Sequence, residues 1–311
     1  MIVREKPGLL AIFLIFRQKD GSILPRIYPQ LLVVIGLSAL VVLGHRDFPH
    51  LVPTVSSAPF ALIGIALSIF LGFRNNACYD RWWEGRKQWG ALVATSRDFG
   101  RQTLLLNGRA QGQGAALRGE LLTLTIGFTF ALVQHLRPGG ASDRIFERLA
   151  PADVDAFLAS RNRPDFILRR MSESLARAQN QGLVSDIEFT LLDSTIRGMG
   201  SAQAACERLR TTQVPFAYTL LLHRTAYIFC FLLPFGFADL LGWLAPVAAG
   251  IVAYTFFGLD TLGNELEEPF GTWPNCLPIE ALADIIAINL REAMGERDLP
   301  ELPQPKNFIL M

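Results

Sequence analysis

Charge is scarce in this 311-residue chain. Only 18% of its residues are Asp, Glu, Lys or Arg, against about 25% in an average soluble domain. The charges also cancel, 29 basic against 28 acidic for a net of +1. No global basic field exists to draw a polyanion, so a nucleic-acid partner is not expected. Cysteine is scarce too. Cys78, Cys206, Cys230 and Cys276 form no CxxC pair and share no spacing with a nearby His, which argues against a zinc site and implies no disulfide framework. No internal repeat is present. Apolar mass takes the place of charge. Half the chain is hydrophobic and Phe alone numbers 22. These residues gather into blocks, which points to a membrane protein with a substantial water-facing part.

The first apolar run, Gly8 to Phe16, follows Arg4 and Lys6 like the core of a signal peptide. Arg17-Gln18-Lys19-Asp20 comes next, with no small-x-small cleavage site, so residues 1–27 read as an uncleaved helix lying at the membrane interface. Four longer blocks follow: Tyr28 to Leu43, Phe60 to Phe73 (extendable to Tyr79), Phe216 to Phe237, and Leu240 to Leu259. A span needs roughly 20 residues, and these four predict transmembrane helices within 28–80 and 215–260. A fifth block, Leu121 to Val133, is short and flanked by Arg118, Glu120 and Arg137. It reads as a buried core helix.

The basic residues set the orientation. Arg4, Lys6, Arg17, Lys19 and Arg26 precede the first span, and Arg74, Arg81, Arg86 and Lys87 follow the second. The first outer loop holds only Arg46 beside Asp47, and the second only Asp239. The positive-inside rule then predicts cytoplasmic termini and a cytoplasmic middle segment. That segment, 81–214, is too polar to cross and reads as helical, looser at Arg137 to Asp143. From Arg81 to Arg210 it holds 18 basic and 13 acidic residues, whereas Asp260 to Met311 holds three and ten. The opposite signs suggest that the tail, 261–311, packs against the middle segment. Pro300, Pro303 and Pro305 predict an extended or disordered strap at its end.

In the second span Ile65, Ile69 and Phe73 recur at i, i+4 and i+8, within about an 80° stripe of one helix face. On spacing alone such a stripe faces lipid or a partner helix; Gly64 and Gly72 would permit close approach of neighbours. His223 and Arg224 are polar groups in an apolar block, yet no Ser, Cys or carboxylate stands at a spacing that makes a triad with His223. Snorkelling or a helix-to-helix hydrogen bond accounts for them. Glu265, Glu267 and Glu268 have the chemistry of hard-cation ligands, but a solvated acidic turn after a span is the preferred reading of them.

Three stretches together resemble the bestrophin family of ion channels. They are Gly72-Phe73-Arg74-Asn75-Asn76 with Arg81-Trp82-Trp83-Glu84, then Pro215 to Thr225, then Glu268-Pro269-Phe270-Gly271. The resemblance runs in order from about Ile2 to Leu290 and is nearest to the bacterial branch. It implies an all-α, multi-pass fold of four transmembrane helices and a cytoplasmic helical region, assembled as a homopentamer around one pore in the plasma (inner) membrane. It implies a hydrophobic neck at Ile65, Ile69 and Phe73. A second constriction, the cytoplasmic aperture, falls at Ile187, with Leu183 the alternative. Permeant monovalent ions, membrane lipid and other copies of the chain are the implied partners, without cofactor or metal. Animal members carry an acidic calcium clasp after the third motif. Here Thr272-Trp273-Pro274-Asn275-Cys276 offers no carboxylate, so the clasp is expected to be absent. The family at large conducts chloride, while bacterial members favour monovalent cations such as sodium; the neck residues carry no charge to decide between them. The rival class is a membrane-embedded enzyme or a scaffold with a partner-binding helical region. An enzyme needs a convergent set of perturbed groups, which the sequence does not offer.

Overall fold

A computed structural model of the chain describes residues 22–48, 50, 55–137, 143–306 and 309–310. Most of the interfacial helix expected over residues 1–27 and most of the looser stretch after Arg137 lie outside those residues; from Leu24 onward the expected interfacial segment instead begins the first long helix. The described residues are mostly helical, with no strand beyond an isolated bridge between Lys306 and Ile309. In order they form α1 (Leu24–Asp47), α2 (Ala58–Gln102), α3 (Gln113–Leu136), α4 (Asp143–Phe146) and α5 (Val154–Ala159). Then come α6 (Arg163–Asn180), α7 (Asp186–Thr211), α8 (Phe216–Leu241), α9 (Ala245–Glu267) and α10 (Ile279–Ala293). The helices belong to two compact units. Among the described residues, one takes 22–82 and 213–269, the other 83–212 and 270 onward.

The first unit holds α1, the first part of α2, α8 and α9. Its core joins Ile27, Leu31 and Val34 of α1 to Leu67 and Leu71 of α2, Ala226, Phe229 and Leu233 of α8, and Ala249, Ala253 and Phe257 of α9. Small residues set the helix spacing, as membrane helices require when no water drives them together. A Cβ on Gly250 would lie 3.0 Å from the side chain of Ile35, and one on Gly236 only 2.6 Å from the ring of Phe60. A single 3-10 turn, Gly242–Leu244, joins α8 to α9, with Gly242 at φ +52°, a backbone state that suits glycine. Outside the core the helices present apolar side chains, among them Leu32, Leu62, Leu232, Leu240 and Ile251. A water-facing surface would not carry so many.

The second unit is built on α3. That helix is long and apolar enough to cross a membrane, but it is apolar all round and sits buried among helices of its own unit, as such a helix must inside a protein. The amphipathic α6 lays Ile167, Leu168, Met171 and Leu175 inward, and α10 does the same with Ile279, Ala283, Ile286 and Leu290. The acidic tail meets the basic middle segment through real pairs. Arg137, at the end of α3, donates to the carbonyls of Phe270 (2.7 Å) and Leu277 (2.8 Å) and pairs with Glu280 at 3.1 Å. Arg144 pairs with Asp284. After α10, Gly295 at φ +91° ends the helix, and the proline-bearing stretch beyond it is not helical. Cys78, Cys206, Cys230 and Cys276 are all buried, and among the described residues none is joined in a disulfide. Burial pushes the Cys206 thiol up to about 12.

Candidate functional site

After Pro59 in its first turn, α2 has no proline to break its hydrogen-bond ladder, and it runs for 45 residues. Its two faces differ sharply. Leu67, Leu71, Arg74 and Cys78 are buried, whereas Ile65, Ile69 and Phe73 are 60%, 51% and 62% exposed. The stripe found in the sequence is thus left uncovered by its own chain. Ser68, between the stripe residues, donates to the Gly64 carbonyl at 2.7 Å and so needs no outside partner. The two glycines divide. A Cβ at Gly64 would lie 3.2 Å from the Phe229 ring of the same chain, while Gly72 meets nothing within 4 Å. Gly64 therefore lets a neighbouring helix, α8 of the same chain, approach closely. Seven residues past Phe73, about 20° from it around the helix, stands the exposed carboxylate of Asp80.

Directly beneath the stripe lies a buried charge knot. Arg74 is fully buried. Its Nη1 donates to Asp260 Oδ1 at 2.7 Å, its Nη2 donates to Asn264, and Glu267 lies at 3.5 Å. The other Asp260 oxygen is 2.7 Å from His223 Nδ1. Arg26 of α1 pairs with Glu265, which is 3% exposed. The solvated acidic turn expected at Glu265 and Glu267 is therefore wrong: both carboxylates are consumed by arginines brought in from α1 and α2. His223 makes the helix-to-helix hydrogen bond its setting called for. The alternative of hard-cation ligation loses its ligands to the same arginines. Among the described residues no three His, Cys, Asp or Glu side chains gather as a metal site. A Cβ at Gly263 would fall 2.5 Å from Asn75 Oδ1 and 3.4 Å from Arg74 Nη1, so only glycine leaves room for the knot. The sequence did carry a signal. Asp260, Asn264 and Glu267 at i, i+4 and i+7 share one face of α9.

In the second unit, Ile187 is the second residue of α7 and is 84% exposed. Its position is tightly fixed. Ser185 accepts from the Glu188 amide and Glu188 accepts from the Ser185 amide, a capping box. Arg109 then grips Glu188 with both Nη atoms, at 2.9 and 2.5 Å, and the Leu183 carbonyl at 3.0 Å. The Arg109 hydrogen bonds, followed by those from Ser185, hold the Glu188 carboxyl down at about 2. Leu183 lies half-buried in the loop before the helix, not one turn along it.

The profile of the family described as Bacterial/Fungal Bestrophin protein matches residues 1–292. The chain is 41% identical to a voltage-dependent anion channel-forming protein of Mesorhizobium japonicum, over 99% of this chain and 97% of that one. It is 37% identical to a voltage-dependent anion channel-forming protein of Escherichia coli K12, over 96% of each. A crystal structure of a bacterial bestrophin homologue from Klebsiella pneumoniae superposes with a TM-score of 0.82 at 34% identity, covering 87% of this chain and 99% of that one.

Proposed function

The chain belongs to the bacterial and fungal bestrophin family, and from that premise we propose how it conducts. It is a membrane ion channel and not an enzyme. Five copies surround one axis, and small monovalent ions pass through a neck lined by Ile65, Ile69 and Phe73 of each. The observation that carries this reading is the uncovered stripe on α2, whose opposite face is fully occupied. In a narrow apolar tube water loses hydrogen-bonding partners and leaves. An ion entering sheds its hydration without replacement ligands, at a cost of several kcal/mol. The neck thus gates by size and apolarity and leaves ion sign to charged groups elsewhere. Ile187 forms a second, cytoplasmic constriction at the capped start of α7. The termini and the second unit lie in the cytoplasm, the spans in the plasma membrane.

The test replaces Ile65, Ile69 and Phe73 together by Ala and measures ion flux into liposomes, with the assembly weighed in mild detergent. Flux should rise well above wild type with the pentamer intact. Equal flux in two intact pentamers assigns the stripe to lipid or to a neighbouring helix; monomers or dimers of the wild type overturn the assembly itself. Reversal potentials under a salt gradient read the sign of the permeant ion.

A further inference from the structure

Near the end of α2, within the second unit, lies a cavity of about 440 Å³ whose described lining residues carry three guanidinium groups and no carboxylate. Arg97 and Arg101 stand one turn apart on one face of α2. Arg118 comes from the second turn of α3 and Asn289 from α10, with Leu104 and Leu290 as apolar lining. The size is that of a small-molecule site.

Arg118 is the anomaly. It is only 8% exposed. Its Nη2 donates to the Ala293 carbonyl at 2.7 Å, but its Nε has no acceptor. Burial alone acts on its ionisation, pushing it down, with no acid opposing. Buried guanidiniums are normally paired, because an uncompensated buried charge is expensive. Arg137, equally buried in the same unit, has Glu280 and two carbonyls. The neighbours of Arg118 do not make up the deficit. Arg97 donates to Asn289 at 2.8 Å, and Arg101 meets only Asp98 on its own helix.

We propose that this cavity binds a phosphate-bearing ligand, its phosphoryl group held by Arg97, Arg101 and Arg118 and its apolar part lying along Leu104 and Leu290. Three planar forks offer more donors than the two oxygens of a carboxylate accept, whereas phosphoryl oxygens match them. A single inorganic phosphate would leave most of 440 Å³ unfilled, so the ligand carries an organic body. The shared chemistry is a phosphoryl group, supplied either by a soluble organic phosphate or by a phospholipid headgroup. None of this depends on the pore reading.

The experiment uses the full-length assembled protein at fixed ionic strength. Calorimetric titration of lipid-stripped protein with phenyl phosphate, a soluble organic phosphate, forms one arm, and native mass spectrometry of retained phosphatidylglycerol the other. Saturable binding of either probe is expected, the responding arm naming the source. Arg118→Gln should weaken it about tenfold or more. Arg97→Gln and Arg101→Gln, both at exposed positions, should each weaken it severalfold without disturbing the fold. Arg169→Gln, an exposed arginine of the same unit, should change nothing. Absence of saturable binding in both arms overturns the proposal. So does binding that Arg97→Gln and Arg101→Gln leave untouched, or a carboxylate of a neighbouring subunit filling the cavity in the assembled channel. Conduction is not the readout, so such a failure leaves the neck unaffected.

Discussion

The two units use charge in opposite ways. In the spanning unit apolar side chains face outward, and the key charges are drawn inward into the knot of Arg74, Asp260, Glu267, Arg26 and Glu265. In the second unit apolar side chains fill the interior, and pairs such as Arg144–Asp284, Arg169–Asp165 and Arg197–Asp193 decorate the surface. The contrast follows the surroundings. Water solvates a lone surface charge well, so a pair there adds little. A low-dielectric surround leaves a lone charge no such refuge, so each partner becomes necessary to the other.

The largest effect should come from breaking the knot. Arg74→Met leaves Asp260 and Glu267 buried without their cation and should cost about 3–5 kcal/mol, read as loss of assembled channel in mild detergent and a lowered unfolding temperature. Intact assembly at the wild-type temperature would remove the contrast between the units. Next comes Asp80, the first carboxylate past Phe73 on the proposed pore face. Asp80→Asn should shift the cation-to-anion permeability ratio toward anions by roughly fivefold, about 1 kcal/mol, in reversal-potential measurements, with the neck barrier unchanged. An unmoved reversal potential would place Asp80 away from the ion path.

A smaller effect belongs to Glu188. Its carboxyl sits at about 2 against an ordinary 4.5, so the unfolded chain takes up the proton first. The stability it gives the start of α7 is complete above about pH 4.5 and fades as pH falls toward 2. Hydrogen exchange should show the first turn of α7 protected at pH 5 and progressively released below pH 4. Glu188→Gln should release it at every pH, with a loss on the order of 1 kcal/mol. The smallest effect is Arg144→Ala, which breaks a half-exposed pair with Asp284 and should cost under about 1 kcal/mol in thermal unfolding.

What the sequence made legible depended on range. The spans and the stripe on α2 are local, written in apolar runs and a repeat of four. The continuation of α2 to Gln102 was hidden from hydropathy because the apolar run stops near Tyr79. It was still present in the spacing of Trp89, Leu92, Ser96 and Phe99, which are all buried. The knot was not legible. Arg74 and Asp260 are 186 residues apart, and which arginine reaches which acid depends on how four helices come together. For the same reason Glu265 looked like a surface group. A glutamate one turn from the end of an apolar helix has the same local sequence whether water or Arg26 waits beside it. The deficit at Arg118 was invisible for a related reason. It consists of a missing acidic partner, and only the packing of α2, α3 and α10 shows that none is there among the described residues.

The burial of all four cysteines has a practical consequence for mapping this channel. The thiolate is the nucleophile that attacks thiol reagents, and the Cys206 thiol, raised to about 12, yields almost none at neutral pH. The other three sulfurs are shielded by packing. The natural chain therefore serves as its own silent background, with no need to mutate its cysteines away. A single thiol introduced at Ile65, Ile69, Asp80 or Ile187 would report alone. Its rate of modification from either side of a membrane would test the proposed ion path one residue at a time.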